Sequence, residues 1–285
     1  MIPANRESCV NKHLTRNVLL MGTALIFVHM ASGQWTKTTN GLWGVNTYSL
    51  AVKGKNLFAG TNSGVFLSAD NGASWTSANI GLPKSSIFSI VVSDTNIFIG
   101  TDKKIFLSTN NGKSWTEFFS GLAEYNHHNV LSLAINGNNI FVGTNGYGVF
   151  LSPDNGSSWT AANLGLMNNI VMALSVKGNT VFAGTWGGGI YRSTINTTRW
   201  LPVNSGLTDL HIRSIASRDS AIFTGTWGGG IFLSTNNGLN WTEVDSGLTN
   251  RHIQSLAVSE SDIYTGIYTG GVWRRSLSEM LKGQR

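Results

Sequence analysis

Six tryptophans recur along this 285-residue chain at nearly equal spacing: Trp35, Trp75, Trp115, Trp159, Trp200 and Trp241, separated by 40, 40, 44, 41 and 41 residues. The residues before them repeat too, as Ser68-Ala-Asp-Asn-Gly-Ala-Ser-Trp75, Ser108-Thr-Asn-Asn-Gly-Lys-Ser-Trp115, Ser152-Pro-Asp-Asn-Gly-Ser-Ser-Trp159 and Ser234-Thr-Asn-Asn-Gly-Leu-Asn-Trp241. A fixed period of roughly 20–50 residues means an array of one small unit that buries its apolar face only against its neighbours.

Between tryptophans the apolar residues follow a strand pattern, not a helical one. In one unit, Ile87-Phe-Ser-Ile-Val-Val92, Asn96-Ile-Phe-Ile-Gly-Thr101, Ile105-Phe-Leu-Ser108 and Trp115-Thr-Glu-Phe118 predict four strands, punctuated by Gly, Asn, Asp and Ser. Four short antiparallel strands per unit of about 40 residues make a propeller blade. Leu50, Ile90, Leu133, Leu174, Ile215 and Leu256 share one register of the first strand, beside Ser49, Ser89, Ser132, Ala173, Ser214 and Ser255. Large residues on one side and small ones on the other suit the crowded strand nearest the axis. The sixth unit, Ile253 to Ser276, has only three strands, while Gln34-Trp35-Thr36-Lys37 matches a fourth-strand sequence. The expected fold is all-β: a six-bladed β-propeller of four-stranded antiparallel blades over residues 34–285. Its N-terminal strand joins the last blade and removes an open edge.

Composition agrees. Charged residues are 12% against about 25% in typical domains, and 34 glycines accompany 4 prolines, as suits many strands joined by tight turns. Hydrophobic residues at 41% exclude a disordered chain. The net charge is +6, but residues 1–33 hold Arg6, Lys12 and Arg16 against Glu7, leaving the repeats 17 basic and 13 acidic residues. With Lys103-Lys104 and Arg274-Arg275 as isolated pairs and no basic stripe, no nucleic-acid partner is expected.

Lys12, His13 and Arg16 precede a 13-residue apolar run, Val18 to Met30, and then Ala31-Ser32-Gly33. That order is a secretory signal, so residues 1–33 are expected to be a leader removed after Gly33. The run is too short for a membrane-spanning helix. Cys9, the one cysteine, precedes it, which leaves the mature chain without a disulfide or thiol nucleophile. The expectation is a secreted or periplasmic monomer that does not insert into the membrane once the signal is cleaved.

Ser-x-Asp-x-Gly-x-x-Trp is the Asp-box, so the chain resembles the Asp-box (BNR-repeat, sialidase-like) β-propellers, in a secreted bacterial form. Asn110 and Asn236 replace the Asp in two boxes, and a fifth, Ser193-Thr-Ile-Asn-Thr-Thr-Arg-Trp200, has lost both Asp and Gly. The box itself reads as a turn: Asx side chains bond local backbone, glycine takes positive φ, and tryptophan packs between blades. Asp70 and Asp154 are therefore turn residues.

The resemblance implies that loops between second and third strands share a face with loops leading into each blade, opposite the boxes. The former are Thr61-Asn-Ser-Gly64, Thr101-Asp-Lys-Lys104, Thr144-Asn-Gly-Tyr-Gly148, Thr185-Trp-Gly-Gly-Gly189, Thr226-Trp-Gly-Gly-Gly230 and Ile267-Tyr-Thr-Gly-Gly271. Aromatics thus gather on later blades as Tyr147, Trp186, Trp227 and Tyr268. The leading loops add Trp43, His127, His128, Asp209, His211, Arg213, Arg251 and His252.

Two readings follow for this face. Tyr147, Trp186, His211, Arg213, Trp227, Arg251, His252 and Tyr268 form a candidate ligand site for a glycan or polypeptide, since flat rings stack on sugars while donors take hydroxyls. In the alternative reading Trp186 and Trp227 pack over neighbouring loops and fill the axial mouth. The sialidase catalytic set is not matched: the Phe/Tyr-Arg-Ile-Pro motif is missing, and Arg213 and Arg251 stand where three arginines are needed. Tyr147 or Tyr268 with Glu124 has no supporting register. A two-carboxylate glycosidase would draw on Asp102, Glu124, Asp209 or Asp245, which share no spacing signature. The histidines show no ligand spacing, so neither metal nor cofactor is expected. The chain reads as a binding or scaffold module, with a secreted glycoside hydrolase using the same face as the competing class.

Overall fold

The computed structural model describes residues 34–42, 45–102, 104–118, 129–196 and 199–281. They form six four-stranded antiparallel sheets arranged as the blades of a propeller. The first blade comprises Thr47–Lys53, Asn56–Thr61, Gly64–Ser68 and Thr76–Ser77. The inner strands of the next four are Ser89–Ser93, Val130–Asn136, Val171–Lys177 and Ile212–Arg218. In the last blade Ile253–Val258, Asp262–Ile267 and Gly271–Ser276 are completed by Thr36–Lys37, with Thr36 opposite Arg274 and Lys37 opposite Trp273. The closing strand is the one the sequence predicts.

Four of the serines beside the large inner-strand residues, Ser49, Ser89, Ser132 and Ser255, join blade to blade. Ser132 Oγ donates to the Val171 carbonyl at 3.0 Å, and Ser255 Oγ donates to that of Thr47 at 3.4 Å across the seam. Crowding here also explains the glycine in the facing strand. A Cβ on Gly143 would collide with the Ser132 hydroxyl and with Val171 of the next blade.

Six apolar clusters fill the junctions between adjacent blades. Five repeat tryptophans are at most 4% exposed. Trp75, Trp115, Trp200 and Trp241 donate their indole N–H to carbonyls of the preceding outer-strand region, those of Thr38, Ala78, Ala162 and Val203. Trp159 departs from this. It is half-buried, and its indole N–H returns to Gly156 of its own box. The counterpart acceptor position, three residues after the preceding tryptophan, is Phe118, the last residue before 119–128, which lie outside the described residues.

The boxes are turns. The Ser68 hydroxyl donates to Asp70 and accepts from the Gly72 N–H, while Asp70 also accepts from the Ser74 hydroxyl and backbone N–H. Those Ser74 bonds, ahead of the one from Ser68, hold the Asp70 carboxyl at about 2. Asn110 likewise accepts from the Ser108 hydroxyl and the Ser114 N–H, but without a charge its NH₂ donates to the Ser114 hydroxyl. Positive φ falls on two consecutive residues rather than on glycine alone. Asn71, Asn111, Asn155 and Asn237 carry it as well, which accounts for asparagine before glycine in every intact box.

After Ser276 the chain forms a short helix, Leu277–Leu281, which the sequence reading did not anticipate. Leu277 and Met280 bury against Trp35 and Ile263. No described helix is long and apolar enough to cross a membrane.

Trp241→Ala should lower unfolding stability by about 3–5 kcal/mol, the range for removing a fully packed aromatic. Half-buried Trp159→Ala should lose less than half as much, with both read from denaturant midpoints.

Candidate functional site

A β-bulge organises the axial mouth. In five blades the register slips by one residue near the start of the inner strand, leaving Tyr48, Leu131, Met172, Arg213 and Gln254 unpaired. A bulge re-aims the side chain it carries. With Phe88 in the same position of the second blade, these residues and Asn145 line a cavity of about 260 Å³. The channel beyond is lined by Leu50, Ile90, Leu133, Leu174, Ile215 and Leu256, all nearly buried. Arg213 is thus an inner-strand residue at the axis, not part of a leading loop as the sequence reading has it. Its five companions went unnoticed there, although all six directly precede the small-residue position.

Beside this cavity stand the aromatics of the last three blades. Trp186 and Trp227 meet edge to face with ring centroids 5.8 Å apart, and Trp227 meets Tyr268 the same way at 5.1 Å. His211 lies 4.8 Å from Trp186, and His252 lies 5.1 Å from Trp227. The Arg213 guanidinium carbon is 5.6 Å from the Trp186 ring and 5.4 Å from the Trp227 ring, within cation–π range of both. Both indoles are half-buried, whereas Tyr268, His211 and His252 are exposed. The first three blades carry Asn62, Asp102 and Asn145 at the position of Trp186, Trp227 and Tyr268. At this loop position the rim of the mouth therefore has one aromatic and one polar half.

The loops bearing these rings are stapled from several sides. Thr185 and Thr226 donate their hydroxyls to the carbonyls of Gly189 and Gly230. Asn168 and Asn250 donate to the carbonyls of Trp186 and Tyr268. In the intervening blade, Asp209 accepts from the backbone N–H groups of His211, Gly228 and Gly229 and contacts His211 Nδ1 at 2.9 Å. Burial pushes the Asp209 carboxyl up, but these hydrogen bonds outweigh it and leave the pKa below the ordinary value.

Arg251 is drawn elsewhere. It meets Glu243 at 2.6 Å and Asp245 at 2.9 Å, and it donates to the Gly229 carbonyl. Sister blades carry Asn79, Asn163 and Asn204 at the Asp245 position. In these, Oδ1 accepts from the N–H of Val65, Val149 or Ile190 at the start of the same blade's third strand, and in the last two the side-chain NH₂ donates to a loop carbonyl. Gly189 is required where Asn204 crosses: its φ is +78°, and a Cβ would strike the Asn204 amide. In the fifth blade Arg251 takes over the donor role beside a buried aspartate. Burial raises the Asp245 pKa, and the Arg251 hydrogen bond lowers that of Glu243.

The structure therefore brings together Trp186, His211, Arg213, Trp227, His252 and Tyr268, and it sets Arg251 apart. Tyr147 stands at a loop tip, 46% exposed, two residues beyond the position of the other aromatics. Of the carboxylates considered for hydrolysis, Asp209 braces a loop, Asp245 holds Arg251, and Asp102 accepts from Ser85 at 2.7 Å. Trp43, Glu124, His127 and His128 lie outside the described residues. Among the described residues no three His, Cys, Asp or Glu side chains gather as a metal site would need.

No protein-family profile matches the chain, and no curated protein matches it. Solved structures do. The extracellular domain of BT4673 from B. thetaiotaomicron is 17% identical with a TM-score of 0.60, over 85% of this chain and 40% of that one. YCF48 bound to D1 peptide is 15% identical with a TM-score of 0.58, over 81% and 77%. An ancestral GH74 enzyme is 20% identical with a TM-score of 0.53, over 82% and 36%. This chain thus spans 40% or less of two of the three. At such identities the likeness shows the propeller fold alone.

Arg251→Ala should destabilise the protein by up to about 3 kcal/mol, the low end for a broken buried pair because Arg251 is itself 42% exposed. Adding Asp245→Asn, the residue of the sister blades, should restore most of that loss in the same unfolding assay.

Proposed function

We propose that this chain is an exported binding or scaffold propeller that holds a glycan or polypeptide on the face opposite the Asp-box turns. The observation that carries this reading is the convergence of Trp186, Trp227 and Tyr268 from successive blades along one side of the axial mouth. Rigid rings offer contact area at little entropic cost, and stapled loops hold them ready before a ligand arrives. Exposed Met167 and Leu210, on loops hydrogen-bonded to the Trp186 loop, extend the apolar surface. Engagement of Asp209 and Asp245 in the scaffold favours binding over hydrolysis. Two neighbours agree in kind: one is an extracellular domain, and another holds a peptide.

A glycan array and a peptide array probed with the purified protein test this. A ligand that binds saturably should weaken at least about tenfold in Trp186→Ala/Trp227→Ala, since a central aromatic contributes about 2 kcal/mol or more. Retained affinity in that variant would return the indoles to a packing role.

Export rests on residues 1–33, read as leader and signal. Cleavage after Gly33 spares buried Trp35 and the closing strand. N-terminal sequencing of the exported protein should find Gln34 first; a start beyond Trp35 would contradict the reading.

A further inference from the structure

Arg213 is a half-buried cation without a counter-charge. Its Nε and Nη2 both donate to Gln254 Oε1, the Nε bond at 3.0 Å. Three of its five N–H donors are left without a partner among the described residues. No described carboxylate pairs with it, whereas Arg251 meets Glu243 and Asp245, and Arg218 meets Asp219. Burial lowers the Arg213 pKa, and Tyr48 offsets this only in part. Gln254 is 2% exposed, and its amide nitrogen likewise has no partner among the described residues.

The rest of the ring explains why this arrangement is unusual. Tyr48, Phe88, Leu131 and Met172 present apolar surface to the same cavity, with Tyr48 and Phe88 tilted together at 5.5 Å. An isolated charge among apolar walls is disfavoured unless something pairs with it. Here only an amide oxygen and two indole faces do so. At about 260 Å³ the cavity falls below the roughly 300–1,000 Å³ of drug-sized sites, so it admits one small group.

We propose that the axial mouth binds a carboxylate carried on an apolar body. Arg213 and the Gln254 amide N–H take the carboxylate, and Tyr48, Phe88, Leu131 and Met172 take the body. Trp186 and Trp227 hold the guanidinium from its flanks. This rests on the reading of the face as a ligand site and names the chemistry of the ligand's deepest group. A free small acid and the last residue of a polypeptide both supply that chemistry.

The test titrates the full protein with 3-phenylpropionate, 3-phenylpropionamide, D-glucuronate, and N-acetyl-Gly-Gly-Phe as free acid and as amide. The readout is the indole N–H NMR signals, since Trp186 and Trp227 flank Arg213. Saturable shifts are expected from 3-phenylpropionate and the free-acid peptide, with at least about tenfold weakening in their amides, as befits loss of a charge-assisted hydrogen bond. A tighter peptide points to a polypeptide source, and equal affinities point to a free acid. Arg213→Gln should abolish both shifts. Arg213→Met provides a second variant whose side chain the fold already accommodates at the equivalent Met172.

Amides that match the acids, glucuronate that matches 3-phenylpropionate, binding that survives in the folded Arg213 variants, or no saturable shift at millimolar concentration would each overturn the proposal. An array ligand lost in Trp186→Ala/Trp227→Ala but unaffected by Arg213→Gln would also overturn it. That last result would leave the broader binding function standing.

Discussion

Ring closure is the constraint on which the rest depends. Two residues, Thr36 and Lys37, pair with the third strand of the last blade, and Thr38 continues the ladder by donating its N–H to Val272. The Trp75 indole then bonds the Thr38 carbonyl, so the closing strand also anchors the first blade. Ser255 reaching Thr47 completes the same seam nearer the axis. Without this seam the last blade would present an unpaired edge, and the six inner strands would not converge on a common axis.

Convergence is what gives the inner-strand bulges meaning. Five blades repeat the same backbone device and the second places Phe88 at the same position, yet the side chain delivered differs: Tyr, Phe, Leu, Met, Arg, Gln in chain order. Scaffold positions and variable positions are thus separated within one repeat. The small residue, the facing glycine and the repeat tryptophan hold the ring together, while the inner-strand residue before the small one and the residue after the second strand decide what the mouth can hold. In the last three blades the latter position is aromatic, and in one of them the bulged residue is charged. Their coincidence makes one sector of the mouth unlike the others.

Charge elsewhere on this face serves the scaffold. Asp209 gathers the backbone N–H groups of His211, Gly228 and Gly229, and Asp245 with Arg251 replaces the single asparagine of sister blades. Arg213 and Arg251 look equivalent in the linear chain, each a basic residue near the start of a late blade. They differ because Arg251 lies within reach of two carboxylates from the preceding blade, whereas Arg213 sits on the axis among neutral neighbours.

The repeat period, alternating apolar residues and missing last strand were enough to determine blade number, blade composition and the closing strand. Each of these follows from local periodicity and from the need to satisfy a sheet edge. The box residues were legible as turns because Asx bonds and positive φ are local properties of a few consecutive residues. The aromatic loops were legible too, as residues at one repeat position. What only the tertiary structure decided was the axial ring of Tyr48, Phe88, Leu131, Met172, Arg213 and Gln254, together with the separation of Arg213 from Arg251. These residues lie about 40 positions apart and become neighbours only when six strands meet at one axis. In five of the six a one-residue bulge aims the side chain there, and its effect on side-chain direction depends on pairing with the neighbouring strand rather than on the residue itself.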